Sequence, residues 1–320
     1  MLRGRGRLSV FSIALFLLIS APSIGAQDDD SAYVRAESLV LVVHDNVTHD
    51  SAAFTQGLEF HEGRLFESTG LRGESTLREV NLSTGEVIRS IDLKSSEFGE
   101  GLTFVDGEII QLTWEEGIAY RYEMETFDVI ANYTYSGEGW GLAYDGQHLI
   151  MSNRTDVLTL RNATTFEVEG TLNVTLNGDP LPKINEMEIW NGILLANIYQ
   201  TEEIVGIDLS TGVAILHIDA SGLRPSGAGV MNGIAFDTST QSLWVTGKHW
   251  PMMYNVTFIE PEPPEQDPLP DLSESSSTSD VDSAYVYALL ILLVCTVVIL
   301  MAMNLKDGGS KTHDRGATDE

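Results

Sequence analysis

FGEGLTF, residues 98–104, is a strand-forming run in which two glycines flank a carboxylate, Glu100. Phe, Leu and Thr favour a pleated strand, whereas glycine weakens one unless the backbone bends or another group comes close. The same design recurs along the chain as FTQGLEF (54–60), GWGLAYD (139–145) and MNGIAFD (231–237). Aligning Gly57-Leu58, Gly101-Leu102, Gly141-Leu142, Met187-Glu188 and Gly233-Ile234 gives spacings of 44, 40, 46 and 46 residues.

After each aligned dipeptide come a turn and a second apolar strand: GRLFEST, GEIIQLTW, GQHLIMSN, GILLANIY and, without the glycine, QSLWVTGK. Third and fourth strands joined by polar turns follow in the first four units, as in TLREVNLSTGEVIRSIDL. Four short strands in a period of about 45 residues predict an all-β chain, a five-bladed β-propeller. The fifth unit lacks an outer strand after MYNVTF, and ESLVLVVHD near the N-terminus has no partner of its own. Pairing the two closes the ring and protects its edges. A β-sandwich shares the strand content but not a regular period with complementary end fragments.

In a propeller the first strand of each unit lines the central channel. The residues before the aligned positions, Gln56, Glu100, Trp140, Glu186 and Asn232, are then expected at one level around the axis. Carboxylates, amides and an indole converging in a concave site point to ligand binding. On this reading Glu100 sits between glycines so that its strand can approach the axis and whatever binds there.

The 320 residues carry a formal net charge of −29 and a single cysteine, Cys295. Arg3, Arg5 and Arg7 precede an uncharged run ending SAPSIGA, the pattern of a signal peptide over 1–26. Residues 284–303, AYVYALLILLVCTVVILMAM, contain no charge and suffice for one C-terminal transmembrane helix. Lys306, Lys311 and Arg315 follow this run, while the Pro- and Ser-rich acidic stalk over 259–283 contains no Lys or Arg. The positive-inside rule then puts the tail, 304–320, in the cytoplasm and the domain over 27–258 outside the cell membrane. Seven N-x-[ST] sequons, at Asn46, Asn81, Asn132, Asn153, Asn162, Asn173 and Asn255, fit an exported, glycosylated domain. The acidic surface argues against nucleic acid as a partner. The histidines, His44, His49 and His148 among them, show no metal-ligand spacing and read as surface or turn residues. No metal or cofactor is expected.

FTQGLEF, GRLFESTGLRGESTLREVNLSTGEV, FGEGLTF, QLTW, GWGLAYDG, INEMEIWNG, ANIYQT, MNGIAFD and TGKHWP, in this order, resemble the plant and bacterial type of glutaminyl-peptide cyclotransferase. The resemblance runs from about Phe54 to Tyr254 and implies a five-bladed propeller, in agreement with the repeat count. It also implies an activity: the N-terminal glutamine of peptides or proteins is cyclised to pyroglutamate with release of ammonia. On the matched motifs, Glu100 is the expected proton shuttle, and Asn185 and Lys248 are donors to the amide oxygen as it gains charge. Phe54 and Gln56 would position the substrate, Trp114 and Trp140 would wall it, and Glu186 and Asn232 would support the site from behind. Where the family has tryptophan in an ANVWQT-like motif this chain has Tyr199, which keeps an aromatic face and adds a hydroxyl.

Two other classes fit the same channel. One is a binding propeller displayed on the cell surface. The other is a lactonase-like, metal-dependent hydrolase, which would need Glu100, Glu186, Asn185 and Asn232 to converge on a cation.

Overall fold

The computed structural model describes residues 33–262, and among them every regular element is a strand. The predicted leader, transmembrane run and tail, and the stalk beyond Glu262, lie outside the described residues. Among the described residues no helix is long and apolar enough to cross a membrane.

The chain opens with β1 (Glu37–Thr48). A first antiparallel group follows: β2 (Thr55–His61), β3 (Arg64–Thr69), β4 (Thr76–Val80) and β5 (Val87–Asp92). The second group is β6 (Gly99–Val105), β7 (Glu108–Thr113), β8 (Ile118–Glu123) and β9 (Val129–Thr134). The third is β10 (Leu142–Tyr144), β11 (His148–Met151), β12 (Val157–Asn162) and β13 (Val168–Asn173). A short hairpin, β14 (Thr175–Leu176) and β15 (Asp179–Pro180), precedes the fourth group. That group is β16 (Ile184–Trp190), β17 (Ile193–Ile198), β18 (Glu203–Asp208) and β19 (Val213–Asp219). The chain closes with β20 (Met231–Asp237), β21 (Ser242–Gly247) and β22 (Met252–Ile259).

Local chemistry repeats with the strands. Asp106 and Gly107 both take positive φ, 52° and 78°, as a two-residue hairpin with the twist of its strands requires. The turns from third to fourth strand each begin with a side-chain acceptor. Asn81 Oδ1 takes the Ser83 and Thr84 amides, Asn162 Oδ1 those of Thr164 and Thr165, and Asp208 Oδ1 that of Ser210. These residues satisfy backbone donors that no ladder reaches. Two of the sequon asparagines, Asn81 and Asn162, therefore have a structural use.

The N-terminal strand finds the partner expected from the sequence. β1 runs antiparallel to β22 from Val40↔Ile259 to Thr48↔Met252. It also does something the sequence did not suggest: Glu37–Val40 pair in parallel with Leu216–Asp219 of β19. One strand thus splices the fourth group to the last, making a single ten-stranded sheet that includes the β14–β15 hairpin.

The first strands meet one another in a circuit, β2 on β6, β6 on β10, β10 on β16, β16 on β20 and β20 on β2. Behind them lie five apolar clusters, each shared by two successive groups. Phe66 and Phe104 join the first and second groups, and Leu112 and Leu142 the second and third. Ile150 and Leu194 bridge the third and fourth, Leu195 and Ile234 the fourth and last, and Leu58 and Trp244 the last and first. Full burial of side chains of this size contributes about 1.5–3 kcal/mol each, so the interfaces between sheets are the core.

Deleting residues 37–45 removes the splice and exposes the edges of β19 and β22. The expected outcome is a large fall in melting temperature with aggregation on size exclusion. Unchanged melting would contradict the closure through β1.

Candidate active site

In three groups the first strand carries a cavity-lining polar side chain near its start, and the second strand ends at the same place because the two are antiparallel. Gln56, Glu100 and Asn185 come from β2, β6 and β16, while Trp114, Tyr199 and Lys248 each follow the second strand of a group. These six residues, with Phe54, Trp140, Phe98 and Arg154, line one cavity of about 300 Å³. Its size falls at the small end of ligand sites, and its wall mixes aromatic rings with a few polar groups.

The register of the first strands explains which side chains reach it. β2, β6, β16 and β20 each carry an irregularity at the start, between Thr55 and Gly57, Gly99 and Leu102, Ile184 and Met187, and Met231 and Ile234. A bulge places two residues against one and re-aims a side chain. In β16 it turns Asn185 into the cavity and Glu186 away from it. The Glu186 carboxylate instead accepts the amides of Ile234 at 2.8 Å and Leu58 at 3.4 Å. Asn232 is likewise buried behind the cavity, donating to the Thr55 carbonyl at 2.9 Å and to Gln56 Oε1 at 3.1 Å. The single ring of five equivalent residues expected from the alignment is therefore corrected: Gln56, Glu100 and Trp140 line the cavity, and Glu186 and Asn232 do not.

The glycines around Glu100 also have a different cause from the one the sequence suggested. A Cβ on Gly101 would lie 2.5 Å from the Leu142 nitrogen and 2.7 Å from the Trp140 carbonyl oxygen. The Gly101 amide donates to that same carbonyl at 2.7 Å. Glycine is required because adjacent first strands touch through their backbones, not because a ligand approaches.

Glu100 is 4 % exposed, and its Oε2 has no hydrogen-bond partner. Burial pushes its carboxyl well above the usual carboxylate range; the Lys248 ammonium opposes this, and the Glu138 and Glu116 carboxylates add to it. Lys248 is 5 % exposed, and burial pulls it down to about 8, against the opposing attraction of Glu100. The two are not within ion-pair distance. Instead the Lys248 ammonium lies 4.5 Å from the centre of the Phe54 ring and 5.4 Å from that of Tyr199. The faces of those rings supply part of the stabilisation that water would otherwise give it.

The remaining wall is built edge to face. Phe98 contacts Phe54 at 5.9 Å and Trp114 at 5.6 Å, and Trp140 meets Tyr199 at 5.3 Å. The Trp140 indole nitrogen donates to Glu138 at 3.0 Å, and the Arg154 guanidinium stands 3.9 Å from the same carboxylate. Sequence reasoning missed Phe98 and Arg154 as lining residues. Trp114, Tyr199 and Lys248 directly follow their second strands, whereas Arg154 stands three residues beyond β11, so the position gave no signal for it.

Among the described residues no three His, Cys, Asp or Glu side chains converge as metal ligands do. A larger hollow of about 750 Å³ lies along outer strands β9, β12 and β13. Its buried charge, Arg161, is committed to the Phe166 carbonyl at 3.0 Å, so the hollow offers no comparable chemistry.

Among the described residues the fold is all-strand, and a buried carboxylate and a buried amine share one aromatic cavity. The glutamine cyclotransferase family model matches residues 13–258, and the chain belongs to that family. The glutaminyl-peptide cyclotransferase of Arabidopsis thaliana is 36% identical over 217 residues, 65% of this chain and 68% of the relative. The crystal structure of Myxococcus xanthus glutaminyl cyclase matches with a TM-score of 0.66 at 34% identity, covering 70% of this chain and 98% of that one.

The Lys248 amine is expected to titrate with a midpoint near 8, readable from its side-chain carbon resonance assigned by loss in Lys248→Met. Because Glu100 holds that value up, Glu100→Gln lowers the midpoint further. A midpoint in the ordinary lysine range, about 10.4, would contradict the burial of this amine.

Proposed function

We infer that the protein is a glutaminyl-peptide cyclotransferase, converting the N-terminal glutamine of peptides or proteins to pyroglutamate. The observation that carries this reading is Glu100: a buried carboxylate with an unpartnered oxygen, its affinity for a proton raised, inside an aromatic cavity beside a buried amine. Family membership and the named relatives support the same reaction.

The substrate supplies both reacting groups, so the protein has to fold them together. Trp114, Trp140, Phe98 and Tyr199 pack the glutamine methylenes, and Phe54 and Gln56 fix the N-terminal end. The α-amine attacks the side-chain amide carbon, forming the ring C–N bond. Glu100 accepts the proton that the amine sheds and delivers it to the departing nitrogen, which leaves as ammonia when the second C–N bond breaks. The Lys248 ammonium and the Asn185 carboxamide donate to the carbonyl oxygen while it carries negative charge. A carboxyl with raised proton affinity suits both halves of the transfer, since it must take a proton and return it within one turnover.

The architecture belongs to the same proposal. The circuit of first strands and the five shared apolar clusters support five blades of a β-propeller, the last closed by β1. The uncharged runs over 8–26 and 284–303 and the basic residues after the second support a single-pass membrane protein with the catalytic domain outside the cell.

Glu100→Gln keeps size and hydrogen-bonding capacity and removes the shuttle. Ammonia release from a Gln-initiated peptide is expected to fall by about 10²–10⁴-fold in kcat. KM changes little, and melting temperature holds or rises because a buried ionisable group has gone. A variant with native melting and near-native kcat would remove Glu100 from the mechanism. The alkaline limb of kcat/KM for the unaltered chain should lie near pH 8, where Lys248 loses its proton, and should be absent in Lys248→Met.

A further inference from the structure

His49 is not the surface or turn residue that its sequence context suggested. It is 3 % exposed, and both ring nitrogens meet acceptors: Nδ1 the Trp250 carbonyl at 2.7 Å, Nε2 the Glu67 carboxylate at 3.0 Å. A neutral imidazole has one N–H and can serve only one of them. The Thr246 hydroxyl, 3.4 Å from Nδ1, gives its hydrogen to the Met252 carbonyl. The ring is therefore an imidazolium that donates at both ends. Its proton affinity is raised accordingly: burial opposes the charge, but Glu67 and the Trp250 carbonyl more than compensate, with Arg78 opposing weakly.

Glu67, fully buried, is filled by donors. Besides His49 it accepts the Thr55 hydroxyl at 2.7 Å and Arg78 through Nε at 2.9 Å and Nη2 at 2.7 Å. Arg78 uses Nη1 on Asp50 at 2.9 Å. Two cations and two carboxylates make a neutral, satisfied network of the kind that holds its members in one arrangement.

What the network holds is the wall of the cavity. Thr55 lies between Phe54 and Gln56, and Trp250 lies two residues beyond Lys248. Lys248 sits on a turn in which His249 takes a φ of 60°, a strained conformation that needs outside support. The support comes from the 49–53 segment: His249 N donates to the Ala53 carbonyl at 2.7 Å and His49 N to the Pro251 carbonyl at 2.9 Å. The Lys248 ammonium then comes to rest over the Phe54 ring. One buried carboxylate is thus wired by its own hydrogen bond to Thr55, next to Phe54, and, through His49, to the turn bearing Lys248.

We propose that the Glu67–His49 pair is a positioning device for cyclisation, fixing Lys248 and Phe54 in register across the joint between the last and first groups of strands. It touches no substrate. The proposal rests on the cyclotransferase reading and on Lys248 as a donor in it. Glu67→Gln preserves shape but removes the charge shared by His49 and Arg78, so the ionic link from β3 through His49 to the turn at Trp250 is lost and the turn loosens.

The test uses the full-length chain and a Gln-initiated peptide. Misplacement by about an ångström costs on the order of 10²-fold, so Glu67→Gln should lower kcat by about that factor with KM changed less than about threefold. Thr55→Val removes one hydrogen bond without changing shape and should lower kcat by about threefold to tenfold. Glu79→Gln serves as the control: it breaks the Arg64 and Arg89 ion pairs of the same sheet, away from the cavity, and should lower melting temperature while leaving kcat unchanged. Wild-type kcat per folded molecule in Glu67→Gln overturns the proposal. If that variant does not fold, wild-type kcat in Thr55→Val overturns it instead. Lys248→Met separates the two levels: wild-type kcat there defeats the role of Lys248 itself. Loss of kcat there, with wild-type kcat in both Glu67→Gln and Thr55→Val, defeats only the positioning role.

Discussion

Everything at the site depends on how closely the first strands approach one another. Side chains from all five groups can share a cavity of about 300 Å³ only if the backbones carrying them touch. Gly101 lies against residues 140–142, and Gly57 lies against Gly101 and Leu102 at distances that leave no room for a Cβ. Replacing either glycine would push neighbouring strands apart by the width of a methyl group, and the functional side chains would separate with them. The apolar clusters behind the strands press the groups together, and the glycines decide how far that pressure goes.

Closeness of this kind brings charges into a place poor in water. Glu100 and Lys248 answer that constraint in opposite directions, the acid gaining proton affinity and the amine losing it, each partly restored by the other. Neither is neutralised by a direct ion pair, which would have quenched both. The same fold handles Glu67 differently: surrounded by His49, Arg78 and Thr55, it is held down to about 2 and remains a carboxylate. Two buried glutamates in one domain are thus driven in opposite directions, one gaining proton affinity and the other held as a carboxylate, and their hydrogen-bond partners make the difference.

The period of the chain and the strand content were readable in the sequence because turn chemistry and apolar alternation are local. The pairing of β1 with β22 was readable from two fragments each lacking a neighbour. Its parallel contact with β19 was not, since four residues of register leave no pattern. The residues of the cavity were legible through matched motifs, and the structure brings Phe54, Gln56, Glu100, Trp114, Trp140, Asn185, Tyr199 and Lys248 together. The choice between Asn185 and Glu186 was beyond simple alignment, because a bulge moves the register by one residue and turns one side chain in and the other out. His49 was misread for a related reason. Its partners, Glu67 and Trp250, lie 18 and 201 residues away, and a lone histidine carries no trace of them.

The central claim is that the α-amine of a terminal glutamine displaces its own side-chain nitrogen. A peptide labelled with ¹⁵N at the α-amine of its N-terminal glutamine, incubated with the full-length protein and followed by mass spectrometry, tests this directly. The account predicts a product lighter by one ammonia that keeps the label, with unlabelled ammonia in solution. A labelled peptide that instead takes up water and loses ammonia as its amide is hydrolysed to the open-chain glutamate, or that stays unchanged beside the enzyme-free control, would contradict it.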